Sequence, residues 1–305
     1  MKSAKNASYW QVDHKVKNLL SAKGVEIFKS PEAWEKFSWT RKYFTSKPKE
    51  GYFIWVQKQV DFPLVSCVSI MGKNVKQELG NLMVVESGLN ISMHGTCNSL
   101  HFGCGQHKAK GKIILKDKAS LKYEHIHNWG KKDSVQPEYD FILGKEAKLE
   151  YSYKMISGPE KLKVKTRVEL AQKAVCTLKL VADCSFTKAE IEDELLLQGR
   201  NSSGLIELKL VAREGAEVSA VSAVSALAEC KGHLDCQGLL VDPAMGGRQP
   251  ILNLVPKLAC KNSKAQLTHE AAIGRISSEQ LDYLMMRGLS EKEAVDLIIN
   301  GFLNS

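Results

Sequence analysis

Residues 170–182, LAQKAVCTLKLVA, consist of a turn, a small residue at Ala174, and then a run in which apolar side chains fall at alternate positions. A period of two places one face of a strand against a core and the other toward water. The same order of turn, small residue and alternation recurs in VVESGLNISM (84–93), LKDKASLKYEHI (115–126), LGKEAKLEYSYKM (143–155) and VAREGAEVSAVSA (211–223). The small anchors Gly88, Ala119, Ala147, Ala174 and Ala216 are separated by 31, 28, 27 and 42 residues, and the pattern returns in CKNSKAQLTHEA (260–271) around Ala265. Such recurrence predicts strand modules stacked as a solenoid, each burying its apolar face only against its neighbours. A β-sandwich is the competing arrangement of many short strands, and the uneven spacing requires insertions at the solenoid's corners. The small-residue stretch VSAVSAVSALAEC (218–230) suits either a strand corner or an Ala-rich helix.

On either side of these modules the texture changes. Residues 1–60 read as a helix and loop region, with VDHKVKNLLSAKG (12–24) as a short amphipathic helix and SPEAWEKFSW (30–39) as a second. Residues 61–274 form the β core, and residues 275–305 form a helical hairpin. In that hairpin Ser277 with Gln280 and Ser290 with Glu293 have the spacing of capping boxes. Gly288 and Gly301 are the expected stops, and Ala294, Leu297 and Ile298 the expected buried stripe. Helices this short need the β core or a partner for stability.

The 305 residues are 44% apolar and 25% charged, enough for a sizeable core and a soluble surface. The opening MKSAKNASYWQVDHKVKNLL lacks a signal-like apolar run, and no stretch of eighteen apolar residues follows, so a cytoplasmic protein that does not engage a membrane is expected. The formal charge of +9 is spread through strand-like segments with no zinc-finger or Arg-rich tract, which reads as a solvated basic surface and not as a nucleic-acid site. Eight cysteines in such a chain are expected to be reduced and mostly buried. Walker A, Rossmann, H-E-x-x-H and G-x-S-x-G patterns are absent, which argues against an autonomous NTP-driven or hydrolytic enzyme.

Three clusters contain side chains capable of chemistry. HGTCNSLHFGCGQH holds His94, Cys97, His101, Cys104 and His107; these are ligand types for zinc or iron, but neighbours three apart do not share a strand face, which favours core and corner roles. In YEHIHNWG, His125 and His127 fall on one face of a strand, as a ligand pair or, more simply, as a hydrogen-bonded ladder closed by Trp129. The third cluster joins Cys236 of GHLDCQGLL to His269 and Glu270 of QLTHEAAIG, and these can meet only in a fold that stacks distant turns. A β-helix carbohydrate-active enzyme is a further alternative, but no opposed pair of carboxylates supports it.

GHLDCQGLLVD, EHIHNWG and AQLTHEAAIGRISSEQLDYLMMRGLSEKEAVDLIINGFL together resemble the SufB/SufD family of iron-sulfur cluster assembly proteins, over most of the chain from about residue 60. The resemblance implies a right-handed parallel β-helix followed by a helical hairpin that engages a SufC-like ABC-type ATPase. It implies a homodimer, or a heterodimer with a SufB/SufD paralogue, formed through β-helix edges. It also implies Cys236, His269 and Glu270 as the residues that hold or tune a transient iron-sulfur cluster. Cys236 matches the SufB-like cysteine, His269 the SufD-like interfacial histidine, and Glu270 the acidic residue of the SufB-like HEA form. The expected role is that of a scaffold and not an enzyme, binding no nucleotide itself, served by a sulfur donor and serving apo-protein acceptors. The alternative is a structural adaptor that recruits the ATPase without carrying a cluster. The family's core segments include the HGTC and HIHNW regions, which favours structural roles for their histidines, and the N-terminal region lacks an obvious C-x-x-C cluster motif.

Overall fold

The computed structural model describes residues 6–99, 104–243 and 247–305. The chain begins with a hairpin, β1 (Ala7–Val12) and β2 (Lys15–Leu20), then β3 (Val25–Lys29), α1 (Ser30–Lys36), a 3₁₀ turn over Ser38–Tyr43, β4 (Tyr52–Val56) and β5 (Leu64–Ile70). From there the strands alternate between two sheets: β6 (Lys76–Val85), β7 (Asn90–Ser99), β8 (Gln106–Leu115), β9 (Ser120–Asn128), β10 (Ser134–Leu143), β11 (Lys148–Ser157), β12 (Lys161–Leu170), β13 (Val175–Ser185), β14 (Lys188–Leu197), β15 (Ser203–Arg213), β16 (Glu217–Ala226), β17 (Lys231–Leu240), β18 (Ile251–Cys260) and β19 (Gln266–Arg275). Two helices follow, α2 (Ser278–Met286) and α3 (Glu291–Asn304).

One sheet runs β19-β17-β15-β13-β11-β9-β7-β5-β1-β2 and the other β18-β16-β14-β12-β10-β8-β6-β4-β3. Every pairing from β5 and β6 onward is parallel, as expected when each coil stacks on the last. This is the parallel β-solenoid that the alternation in the sequence predicts, with about six turns. Its core lies between the sheets: in β14, Ala189, Ile191, Asp193, Leu195 and Leu197 are buried while Lys188, Glu190 and Glu192 face water. VSAVSAVSALAEC resolves into β16 and the corner that follows it.

The corners explain the anchors. Ala119, Ala147 and Ala174 each close a turn by bonding back three residues, to Lys116, Gly144 and Ala171, and all three are fully buried. The preceding residue, Lys118, Glu146 or Lys173, adopts a left-handed backbone with φ of 57–60°. In that conformation its N–H points along the solenoid axis and donates to the carbonyl of the next corner, so Lys118 bonds Lys145, Glu146 bonds Gln172 and Lys173 bonds Arg200. Ser202 and Cys230 continue this corner column, whereas Ala216 closes a turn at the opposite corner, after β15. The spacing of 42 residues therefore joins two columns and does not mark an insertion. Gly88, with φ of 74°, takes the left-handed position equivalent to Lys118.

The amphipathic helix expected over residues 12–24 is not formed. That segment turns at Asp13, φ 50°, into β2, which pairs antiparallel with β1, and it ends in the positive-φ Gly24. Edge pairing to β1, itself parallel to β5, satisfies the backbone more fully than a short isolated helix would. SPEAWEKFSW does form α1 and the 3₁₀ turn, which cover the outside of the second sheet; Phe37, Trp39 and Trp55 surround the buried Ala33, Phe53, Leu82 and Val84.

At the other end both capping boxes are present, Ser277 with Gln280 and Ser290 with Glu293. Gly288, φ 96°, follows α2, but α3 continues through Gly301. Its buried residues are Ala294 and Ile299, and Ile299 packs with Val211, Leu239 and Val241 on the outer face of the first sheet, with Val295, Ile298 and Phe302 against the same cluster. Leu297, expected in the stripe, is 53% exposed. Arg213 makes two hydrogen bonds to Asp183 at 2.8–2.9 Å and lies 3.7 Å from Asp296 of α3. No described helix is long and apolar enough to cross a membrane.

Candidate functional site

β17 and β19 are in parallel register, with Leu234 opposite His269, Asp235 opposite Glu270 and Cys236 opposite Ala271. Paired residues share a face, and successive residues alternate faces. Leu234 and Cys236 are buried in the core, so His269 and Ala271 point along the same inner face, in the row beyond them. Glu270 shares the outer face with Asp235. Thus Cys236 and His269 are neighbours on one face of adjacent coils, while Glu270 projects from the other face. His269 and Glu270 are exposed because β19 ends its sheet, and β18, which ends the other, is exposed over most of its length.

Cys236 is only 1% exposed. Burial pushes its thiol pKa up, and the Ser222 hydroxyl beside it pulls the other way. Ser222 belongs to an inward row that the sequence analysis passed over, in which Thr166 of β12, Asp193 of β14 and Ser222 of β16 are in register on the second sheet. All three are buried, and Asp193 is raised to about 7 by loss of water, with a hydrogen bond from Thr166 acting against the shift. The signal was present in KAEIEDELLL (188–197), where Asp193 interrupts an inward series that is otherwise apolar. A polar patch inside the last coils therefore faces the thiol that the sequence singled out.

A second polar cluster lies nearer the N-terminal end. β7 and β9 pair Cys97 with His127 and Gly95 with His125, which brings the first two sequence clusters together on the inner face. Cys97 Sγ is 3.4 Å from His125 Nε2, and His127 Nε2 is 3.1 Å from the same nitrogen. Trp129 Nε1 donates to His127 Nδ1 at 3.0 Å, and His125 Nδ1 lies 3.2 Å from the Tyr151 hydroxyl. His107 Nδ1 is 2.9 Å from Gln77 Oε1, while its Nε2 is buried without a partner among the described residues. Burial holds these imidazoles neutral, lowering His107 to about 4 and His125 to about 3; burial first, then the neighbouring His125 and His107 rings, also holds His127 well below the ordinary imidazole range. The same burial raises the Cys97 thiol.

The rest of HGTCNSLHFGCGQH disperses. His94 is exposed, 3.2 Å from Glu124, Cys104 is exposed, and His101 lies outside the described residues. The alternation of strand faces separates those neighbours as expected, but register across coils joins Cys97 to a histidine pair some thirty residues away.

Residues 69–302 match the family described as SUF system FeS cluster assembly, SufBD core domain. An iron-sulfur cluster assembly SufBD family protein of Archaeoglobus fulgidus is 28% identical, the alignment covering 99% of this chain and 85% of the relative. One from Methanothermobacter thermautotrophicus (strain Winter) is 25% identical over 93% of this chain and 74% of its own length. A Staphylococcus epidermidis relative of the same name is 26% identical over 83% of this chain and 55% of its own length. With most of the solenoid and the helical hairpin inside the matched region, the chain belongs to the SufBD family of iron-sulfur cluster assembly proteins.

Proposed function

We propose that this chain is a scaffold subunit that receives iron and sulfide, holds a nascent iron-sulfur cluster and releases it to apo-proteins, acting in the cytoplasm and performing no catalysis of its own. The observation that carries this reading is that Cys236 and His269 share the inner face of adjacent strands, diagonally offset by two residues, at the open end of the solenoid. A soft thiolate and an imidazole are suitable donors to iron and to cluster assembly. A second SufBD chain, identical or paralogous, would pair along β18 and β19, whose outer edges have no strand partner among the described residues and whose Ile251, Val255 and Ile273 are exposed. Glu270, on the outer face, would then serve the partner's side of the interface or the incoming metal.

The hairpin has the features of a docking platform for a SufC-like ABC-type ATPase. α3 is anchored to the first sheet by Ile299, Ile298 and Phe302, while Tyr283, Met285, Met286 and Leu297 remain exposed. Since Cys236 is buried, cluster chemistry requires the last coils to open, and nucleotide-driven movement of the ATPase is a source of that displacement. The chain itself binds no nucleotide in this scheme, and a sulfur donor supplies the sulfide.

The native complex, isolated without oxygen, tests this through its subunit composition and its iron and acid-labile sulfide measured together. An ATPase, a SufBD pair and matched iron and sulfide are expected. An ATPase complex that never acquires iron or sulfide under assembly conditions would instead identify an adaptor, for which the burial of Cys236 is the supporting feature.

A further inference from the structure

We propose that Cys97, His125 and His127 form a second, buried site that binds one divalent transition-metal ion of borderline softness, zinc or ferrous iron. The three donor atoms, Cys97 Sγ, His125 Nε2 and His127 Nε2, all lie within 4.8 Å of one another inside the solenoid. Bonds of about 2.0–2.1 Å to nitrogen and 2.3 Å to sulfur at tetrahedral angles give donor separations of about 3.3 Å between nitrogens and 3.6 Å between nitrogen and sulfur. Two of the three separations in the structure, 3.1 and 3.4 Å, are close to these values, and the third, between Cys97 and His127, lies within 4.8 Å. One thiolate with two imidazoles suits zinc or ferrous iron better than magnesium or calcium, which take oxygen ligands.

The surroundings orient the triangle. His125 is positioned to donate its Nδ1 proton to the Tyr151 hydroxyl, which leaves the Nε2 lone pair facing inward, the usual support for a histidine ligand. The Trp129 indole can only donate, so it holds His127 Nδ1 as an acceptor and places that ring's single proton on Nε2, along the edge shared with His125. Both the thiol and His127 Nε2 would then direct a proton toward one lone pair, which can accept only one of them. A divalent ion would take the Cys97 thiolate and two neutral imidazoles, so the thiol proton leaves while the His127 proton moves from Nε2 to Nδ1 and the Trp129 N–H turns to another acceptor. Nearby, the unpartnered Nε2 of His107 shows that this stretch of the interior is not a fully satisfied polar ladder.

The full-length protein, produced in medium with Co²⁺ in place of Zn²⁺ and freed of loose metal with a chelator, gives the test. About one Co²⁺ per chain should remain, with visible bands of tetrahedral cobalt and a thiolate-to-cobalt band in the near ultraviolet. Cys97→Ser should lose the thiolate band and His127→Gln should retain at least tenfold less metal, while Cys236→Ser should keep both, which separates this site from the proposed cluster site. X-ray absorption of the wild-type zinc or iron protein needs no variant, and one sulfur at about 2.3 Å with two or three nitrogen or oxygen neighbours is expected. Protein that retains no metal, an all-oxygen shell, or a thiolate band unchanged in Cys97→Ser would overturn the proposal. Metal analysis after growth with zinc or with iron identifies which ion is held.

Discussion

Asp193 shows how one side chain can set a pH dependence for the whole fold. Its native pKa of about 7 lies above the ordinary carboxylate value of 3.8, so between those values the folded protein holds a proton that the unfolded chain has released. Stability therefore falls as pH rises from about 4 to about 7 and levels off above that, which is opposite in sign to a salt-bridged carboxylate. Asp193→Asn is accordingly expected to stabilise the protein by up to about 4 kcal/mol at pH 8 and to make little difference at pH 4. Urea unfolding of both proteins at a series of pH values measures this, and an equal loss of stability in the variant at every pH would refute it. Asp193 is legible in the sequence as a polar residue on an apolar register. Its neighbours Thr166 and Ser222 are not, because hydroxyl residues at inner positions look ordinary until three coils are aligned.

Among the elements, the corners and the last helix separate what local sequence determines from what assembly determines. The left-handed turn residue needs no side chain for its role, since its N–H makes the axial bond. Lys173→Gly is expected to raise stability by up to about 1 kcal/mol, and Lys173→Val to lower it, because a β-branched residue resists φ of 57°. Thermal unfolding distinguishes these outcomes, and a destabilised glycine variant would contradict them. Alanine anchors and capping boxes were readable because each is a local spacing of a few residues. The N-terminal hairpin was not, since KVKNLL (15–20) becomes a strand only through the edge offered by β1, and neither was the rotation of α3 that buries Ile299 and exposes Leu297. That rotation sets expectations for the proposed ATPase interface. Leu297→Asp should weaken association with the ATPase and leave the melting temperature unchanged, whereas Ile299→Asp should lower the melting temperature by loosening α3 from Val211 and Leu239. Affinity and melting measured on both variants check this, and unchanged ATPase binding by a folded Leu297→Asp protein would count against the proposed platform.

For the molecule as a whole, stacking creates both polar sites. Cys236 and His269 are 33 positions apart in sequence and on adjacent rows in the fold, and Cys97 meets His125 and His127 by the same geometry. Sequence reading reached the first group through a family resemblance and left the second as unconnected clusters, because no spacing along the chain encodes the register between coils. Glu270 marks the opposite limit: adjacency to His269 in sequence places it on the other side of the sheet. In the proposed assembly the open end of the solenoid is completed by a second subunit, and the terminal helices couple that junction to the ATPase. Anaerobic reconstitution of the complex with iron and a sulfur donor, comparing wild type with Cys236→Ser and His269→Ala, tests this most directly. Wild type should acquire iron and acid-labile sulfide in matched amounts while both folded variants lose most of the cluster; loading by Cys236→Ser equal to that of wild type would contradict the account.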